Sequence, residues 1–177
     1  MKVAITGHSR GLGKELYSRF DSAVGISRDT CNIDNTQKIT TLIKDSEVFI
    51  NNAHSNFKQT ELLWSIFNEW KDCNKTIVNI ISRSKYPNIS KGYMYSASKA
   101  SLSHLSNNLR FISDKKCRII DINPGLLESD LPSLSYKEVA DIIEYVIKLP
   151  FHIEVGELSI WNTVPYSEVS SLKDLKK

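Results

Sequence analysis

Val3-Ala-Ile-Thr-Gly-His-Ser-Arg-Gly-Leu-Gly13 joins an apolar run to three glycines, and a helical pattern follows over residues 14–20. This order predicts a strand, a tight turn and a helix. The first glycine, Gly7, would let the chain turn sharply, and the second, Gly11, would let a ligand approach the backbone. The third, Gly13, would let the helix pack close to the strand. Free N–H groups and the positive end of the helix dipole would then bind a pyrophosphate. We therefore expect a dinucleotide site, against the alternative of a glycine-rich turn that binds nothing.

The bulk composition is that of an ordinary globular protein of 177 residues, with 41% hydrophobic and 24% charged residues. We expect one dinucleotide-binding domain over residues 1–164 and a polar tail over 165–177. The formal net charge of +3 is spread along the chain, which argues against a nucleic acid or a membrane as the main partner. Cys31, Cys73 and Cys117 lack metal-ligand spacing, so we expect reduced thiols, no metal site and a cytoplasmic protein. Because a strand is predicted directly at residue 3, we expect no signal peptide.

Strand and helix patterns alternate along the chain. Strands are expected at residues 3–6, 23–27, 31–33, 47–51, 76–82, 117–122 and 156–161. Helices are expected at 34–43, 59–72, 93–112 and from 135 onwards, with capping boxes at 34–37 and 135–138. This alternation predicts an α/β fold, a Rossmann-type doubly wound parallel sheet of about seven strands with helices on both faces. Ligands of such sheets lie beyond the carboxyl ends of the strands, where Thr6, Asn51, Ser82 and Asn123 fall.

Tyr95 and Lys99 are four residues apart on a predicted helix, so their side chains share one face. A lysine ammonium beside a phenol would lower the pKa of the phenol and make it a usable general acid or base. Ser82, at the end of a buried strand, could stabilise charge that develops on the oxygen whose proton Tyr95 handles. The pair alone is also compatible with an unrelated tyrosine and lysine on a surface helix.

With these residues in order, the chain resembles the short-chain dehydrogenase/reductase family over nearly its whole length. Five segments carry the resemblance: Thr6-Gly7-x-x-x-Gly11-x-Gly13, Asn51-Asn52-Ala53, the strand that ends at Ser82, Tyr95-Ser-Ala-Ser-Lys99 and Asn123-Pro124-Gly125. The resemblance implies that Tyr95 protonates a carbonyl oxygen as hydride arrives from a nicotinamide. It also implies that Lys99 holds the ribose and lowers the pKa of Tyr95, and that Ser82 orients the substrate oxygen.

The expected cofactor is NADP(H) in preference to NAD(H). Ser27 and Arg28 stand where an NAD-binding fold would place an acidic residue, and Arg10 lies inside the glycine loop. Two guanidinium groups would suit a 2′-phosphate, unless both are solvated and Asp29 counters Arg28. The residues expected to bind the cofactor are Thr6, Gly7, Ser9, Arg10, Gly11, Leu12, Gly13, Ser27, Arg28, Asn32, Ile33, Asn51, Asn52, Ala53, Tyr95, Lys99, Pro124, Gly125, Leu127 and Ser129.

The chain also departs from the family pattern. The catalytic asparagine has no clear counterpart, with Asn56 and Asn68 as candidates by position, and residues 126–134 are too short for a helical substrate lid. His54 replaces a glycine after the strand-end asparagines; it could contact a substrate at the strand end, but a lone histidine there is more often a polar loop residue.

The helix face with Leu102, Leu105 and Leu109 resembles the surface through which family members pair, so a homodimer or homotetramer is expected. The leading expectation is an oxidoreductase acting on a small carbonyl/alcohol substrate of unspecified identity. A non-catalytic NADP(H)-binding regulatory module is one alternative. A nucleotide-sugar reductase-like enzyme is another, suggested by the direct link between the second and third expected strands.

Overall fold

A computed structural model describes residues 1–87 and 92–164 and contains one parallel sheet in that part of the chain. Its six strands lie in the order β2-β1-β3-β4-β5-β6. Their bounds are β1 Val3–Thr6, β2 Val24–Ile26, β3 Val48–Asn51, β4 Thr76–Ile80, β5 Arg118–Pro124 and β6 Glu157–Ile160. The strand order reverses direction between β1 and β3. Such a switch point opens a crevice at the carboxyl ends of the two strands, where ligands of this architecture bind.

Helices cover both faces of the sheet, as the sequence predicts. They are α1 Gly11–Tyr17, α2 Thr36–Leu42, α3 Lys58–Trp70, α4 Tyr93–Arg110 and α5 Tyr136–Lys148, and Arg83–Lys85 forms a 3-10 turn. Alternate strand residues point to opposite faces, so Phe49 and Ile77 pack with α2, α3 and α4, whereas Ile50 and Val78 pack with α1 and α5. Because both faces are covered, the central strands are apolar almost throughout.

The prediction of a third strand at residues 31–33 is wrong. In the described residues the sheet therefore has six strands, where the sequence led us to expect about seven. Cys31 and Ile33 are buried because they fill the core beside Ile39 from a loop. A parallel neighbour of β2 would need a crossover of a dozen or more residues, and only four separate Ile26 from Cys31. The direct strand-to-strand link that suggested a nucleotide-sugar reductase is therefore absent.

Helix starts agree with the sequence in one case and differ by a residue in the other. Ser135 and Glu138 form the predicted capping box of α5 through reciprocal hydrogen bonds. At α2, the cap is Asn35 rather than Asp34, and its side chain accepts a hydrogen bond from the Lys38 N–H. The pattern identified the helix but not which of two adjacent polar residues caps it.

The leucines expected on a pairing surface lie in the core instead. Leu102 and Leu109 are buried in the layer under α4, and Leu105 packs against that layer. Their spacing marks the inner face of an amphipathic helix, so these leucines give no support to a dimer. The predicted tail at 165–177 lies outside the described residues. Within residues 1–87 and 92–164, no helix combines the length and apolarity that a bilayer crossing requires.

Candidate active site

The glycine loop after β1 has the backbone geometry that its sequence predicts. Gly7 and Gly11 have φ angles of 70° and 56°, in the left-handed region that side chains disfavour. At Gly13, a Cβ atom would lie 2.1 Å from the carbonyl oxygen of Gly7, a distance that no side chain can tolerate. The third glycine therefore lets α1 begin directly against the loop.

The end of β3 fixes this loop in place. The Thr6 hydroxyl accepts hydrogen bonds from the backbone N–H groups of Asn52 and Ala53, at 2.9 and 3.0 Å. In return the Asn52 amide donates to the carbonyl of Thr6 at 2.9 Å. The first and second strand-end motifs of the sequence thus form one hydrogen-bonded unit at the switch point.

A cleft of about 730 Å³ opens above this unit. Thirteen of the residues predicted to bind a cofactor line it: Thr6, Gly7, Ser9, Arg10, Gly11, Leu12, Gly13, Ser27, Arg28, Asn32, Ile33, Asn52 and Ala53. Tyr136 also lines the cleft, and a Cβ atom at Gly11 would lie 3.4 Å from its hydroxyl. Sequence reasoning missed Tyr136, because its place at the start of α5 is far from the loop in the chain.

Arg10 and Arg28 both line the cleft with exposed side chains. Neither forms an ion pair with any residue in the described part of the chain, so Asp29 does not neutralise Arg28 there. Two uncompensated guanidinium groups therefore face the cleft beyond β1 and β2. Asn32 faces it too, although its side chain closes a turn with Asp34.

Asn51 and the residues after β5 lie apart from the cleft lining. Asn51 is fully buried, and its amide donates to the carbonyl of Gln59 and to the Asn79 side chain. Asn51 is therefore not among the residues that line the cleft, and its place among the cofactor-binding residues stays a prediction. Pro124 ends β5, and the chain from Gly125 to residue 135 contains no helix, in agreement with the missing lid. Leu127 bridges to Leu134, and Ser129 caps a turn at the surface, so neither lines the cleft.

Ser82, Tyr95 and Lys99 come together at the ends of β4 and α4. The Ser82 hydroxyl accepts a hydrogen bond from the Ser84 N–H at 3.1 Å and lies within hydrogen-bonding reach of Tyr95. Since that hydroxyl accepts from a backbone N–H, its own proton can be donated to the Tyr95 hydroxyl or to a substrate oxygen that takes a place beside it. The Lys99 ammonium lies 5.6 Å from the centre of the Tyr95 ring.

The electrostatics of this group differ from the expectation. Burial raises the pKa of Tyr95, and the hydrogen bond from Ser82 opposes that effect. Burial lowers the pKa of Lys99 to about 7. The predicted lowering of the Tyr95 pKa by Lys99 is thus wrong for this state of the site. The lysine points its amine at Gln59 and the Ile80 carbonyl, at 2.6 and 2.8 Å, and loses charge through its own desolvation.

Comparisons with known proteins agree with the fold described above. Serine dehydrogenase of Escherichia coli superposes with a TM-score of 0.79 at 19% identity, covering 93% of this chain and 99% of the other. A short-chain dehydrogenase of Burkholderia cenocepacia in complex with NADP gives a TM-score of 0.75 at 17% identity, covering 96% and 91%. This chain has the short-chain dehydrogenase fold.

The sequence comparisons are weaker than the structural ones. An uncharacterised oxidoreductase of Staphylococcus saprophyticus is 28% identical over 94 residues, which cover 48% of this chain. This chain spans only 40% of the length of that relative. No family model matches the sequence.

In the described residues, neither asparagine candidate is hydrogen-bonded to Ser82 or Lys99. Asn56 and Asn68 are both exposed. Gln59 contacts the lysine instead, and no sequence motif singles out this glutamine on the first turn of α3. His54 is also more than a loop residue, because its ring packs edge-on against Tyr95 with the centroids 4.8 Å apart. Since His54 lines the cleft as well, it connects the glycine loop to the tyrosine.

Proposed function

We propose that this protein is an NADP(H)-dependent oxidoreductase that interconverts a carbonyl compound and an alcohol, with Ser82, Tyr95 and Lys99 as its catalytic residues. The observation that carries the proposal is the continuity of the site. The cleft above the glycine loop reaches His54, and His54 packs against Tyr95. A ligand that fills the cleft would therefore end beside the tyrosine.

The residues present suit a phosphorylated dinucleotide. The close approach at Gly13 makes a cradle that a Cβ atom would block, and the start of α1 directs backbone N–H groups into it. Arg10 and Arg28 supply positive charge without a carboxylate partner in the described residues, which favours a 2′-phosphate. The structural neighbour from Burkholderia cenocepacia holds NADP. When bound, such a cofactor would supply or accept the hydride.

The protein's own residues would manage the proton. The raised pKa of Tyr95 keeps its phenol protonated near neutral pH, as an acid must be to protonate a carbonyl oxygen. Ser82 can donate a hydrogen bond to the same oxygen and stabilise the charge that develops there. Lys99, whose ammonium lies 5.6 Å from the Tyr95 ring centre, would donate hydrogen bonds to hydroxyl groups of the cofactor.

Replacing Tyr95 with phenylalanine separates catalysis from binding. For an enzyme, Tyr95→Phe should bind NADPH with nearly unchanged affinity in a fluorescence titration but lose carbonyl-dependent NADPH oxidation by at least 100-fold, the scale of general acid catalysis. Equal rates for Tyr95→Phe and the unmutated protein would refute the assignment of Tyr95 as the general acid.

The substrate panel should include carbonyl compounds that carry a carboxylate or phosphate, because a cationic side chain lies next to Ser82. Arg83 stacks 4.1 Å from the Trp161 ring centroid and has no ion pair among the described residues.

The second candidate is a regulatory module that binds NADP(H) without turnover. The exposed positions of Asn56 and Asn68, together with the absence of a lid helix between residues 125 and 135, favour it. NADPH binding with no oxidation of the cofactor by any member of the panel would support the module over the enzyme.

A further inference from the structure

Gln59 is a buried polar residue that the proposed mechanism has not yet used. It lies on the first turn of α3, is only 2% exposed, and is followed by the core residues Leu62 and Leu63. A buried carboxamide is costly unless all its groups find partners. Gln59 finds them, and one of the partners is the proposed catalytic lysine.

The hydrogen bonds fix which way the Gln59 amide faces. Its nitrogen donates to the carbonyl of Asn51 at 2.8 Å and to that of Ile80 at 3.4 Å. Both carbonyls can only accept, so the nitrogen must face them and the oxygen must face away from them. That oxygen receives the Lys99 ammonium at 2.6 Å.

The backbone around Gln59 holds the amide in this orientation. The side chain of Asn51 donates to the backbone carbonyl of Gln59 at 2.9 Å, while the side chain of Gln59 donates to the backbone carbonyl of Asn51. Asn51 itself is held by a buried chain of hydrogen bonds across β3, β4 and β5, in which it donates to Asn79 and Asn79 donates to Asp121. Rotation of the Gln59 amide would break its bonds to the Asn51 and Ile80 carbonyls and to Lys99.

Lys99 depends on few other partners. Its ammonium donates to Gln59 and to the Ile80 carbonyl, and it forms no ion pair with a carboxylate in the described residues. One of its three protons remains to be directed elsewhere. The titratable side chains that act on this region are Tyr95, on the same helix, and His54, which contacts both Tyr95 and Gln59.

We propose that Gln59 is the positioning residue of the site: its amide oxygen, oriented by the Asn51 and Ile80 carbonyls, holds the Lys99 ammonium behind Tyr95. This assignment rests on the proposed function for its catalytic meaning, but the Gln59–Lys99 contact can be tested without turnover. Gln59 is in direct contact with the lysine. The family resemblance had instead suggested Asn56 or Asn68 as the counterpart of the catalytic asparagine.

The test follows the Lys99 amine by NMR of isotope-labelled lysine side chains, assigned with Lys99→Met. Gln59→Glu places a carboxylate beside the amine and should raise the Lys99 titration midpoint by about one to three pH units. Gln59→Met removes the acceptor and should lower it. The matched control is Asn68→Asp, the same amide-to-acid change on the exposed face of α3, which should move the midpoint by less than half a unit.

The unmutated protein supplies a measurement that does not depend on whether the variants fold. Its Gln59 side-chain amide resonances should shift with the same midpoint as the Lys99 amine. In kinetics, Gln59→Met should lower kcat for NADPH oxidation and shift its pH profile.

The outcomes separate the two proposals. If the midpoint moves as expected but no variant or parent oxidises NADPH, the positioning role stands and the proposed enzyme falls. If turnover is found but the Lys99 midpoint is the same in all proteins, and the Gln59 amide does not titrate with it, the positioning role is overturned and the enzyme stands.

Discussion

Lys99→Met should change the stability of the protein in a strongly pH-dependent way. The lysine is only 2% exposed, and burial lowers its pKa from 10.5 to about 7. In the unfolded chain the same amine is hydrated and keeps its ordinary pKa. Between these two pKa values the unfolded chain binds a proton that the folded chain lacks, so the free energy of unfolding rises with pH through this window.

The shift sets the size of the effect. At about 1.4 kcal/mol per pH unit, lowering the pKa from 10.5 to about 7 corresponds to a destabilisation on the order of 5 kcal/mol at and below pH 7, where both states bind the proton. Lys99→Met removes this contribution. It also removes the hydrogen bonds that the amine donates to the Gln59 side-chain oxygen and to the Ile80 carbonyl, and the loss of these bonds costs about 1–3 kcal/mol at every pH. The variant should therefore gain most over the parent below pH 7 and lose that advantage by about 1.4 kcal/mol per unit as the pH rises towards 10.

Urea unfolding of both proteins at pH 6, 7, 8 and 9, at constant ionic strength, measures the difference directly. Lys38→Met, at an exposed lysine of α2, is the control and should show a difference close to zero at every pH. A difference for Lys99→Met that stays constant from pH 6 to pH 9 would refute the assignment of a desolvated, readily neutralised amine at this position.

Three further substitutions test other parts of the structure. Gly13→Ala would put a Cβ atom 2.1 Å from the Gly7 carbonyl oxygen. Calorimetry should therefore show a loss of about 1–3 kcal/mol in stability, and titration should show no NADPH binding. Normal NADPH binding by this variant would contradict the proposal that the glycine loop holds the cofactor. Arg28→Ser should weaken NADPH binding roughly tenfold and NADH binding little, and an equal effect on both cofactors would reject a contact with the 2′-phosphate. Arg110→Met would leave the buried carboxyl of Asp121 without its ion-pair partner at 3.0 Å and should cost about 3–5 kcal/mol in urea unfolding, with a smaller loss in acid, where the carboxyl is protonated.

The sequence predicts the parts of the site that are local in the chain. The glycine loop combines positive φ angles with a contact that only glycine allows, so its residues can be read in order. Tyr95 and Lys99 are equally local, because residues four apart on a helix share one face. The parallel sheet also follows from the alternation of apolar runs with helical periods.

The parts that the sequence could not provide depend on contacts between distant elements. Gln59 and Lys99 are 40 residues apart, and only the packing of α3 against α4 brings the amide to the amine. Tyr136 contacts Gly11 because α1 and α5 pack side by side on one face of the sheet, although the two residues are far apart in the chain. The direction of the Tyr95 pKa was missed because burial of the phenol raises its pKa more than the hydrogen bond with Ser82 lowers it, and the sequence does not show how deeply the phenol is buried.

The strand predicted at residues 31–33 was wrong because a strand and a loop that fills the core can have the same sequence pattern. Cys31 and Ile33 alternate with a polar residue as a strand would, yet a loop that fills the core gives the same pattern over three residues. The spacing to β2 was the better guide, because it is too short for a parallel crossover. The leucines of α4 show the same ambiguity, since an apolar helix face does not say whether it meets the core or another subunit.

Transfer of deuterium from the cofactor tests the proposed function most directly. NADPH labelled with deuterium at its transferable position is incubated with the protein and a panel of carbonyl compounds, and the products are analysed by mass spectrometry. We predict at least one alcohol that carries a single deuterium, formed faster with NADPH than with labelled NADH and not formed by Tyr95→Phe. A cofactor that binds without yielding a labelled alcohol from any carbonyl, or equal labelling by Tyr95→Phe, would contradict an enzyme that works through this tyrosine.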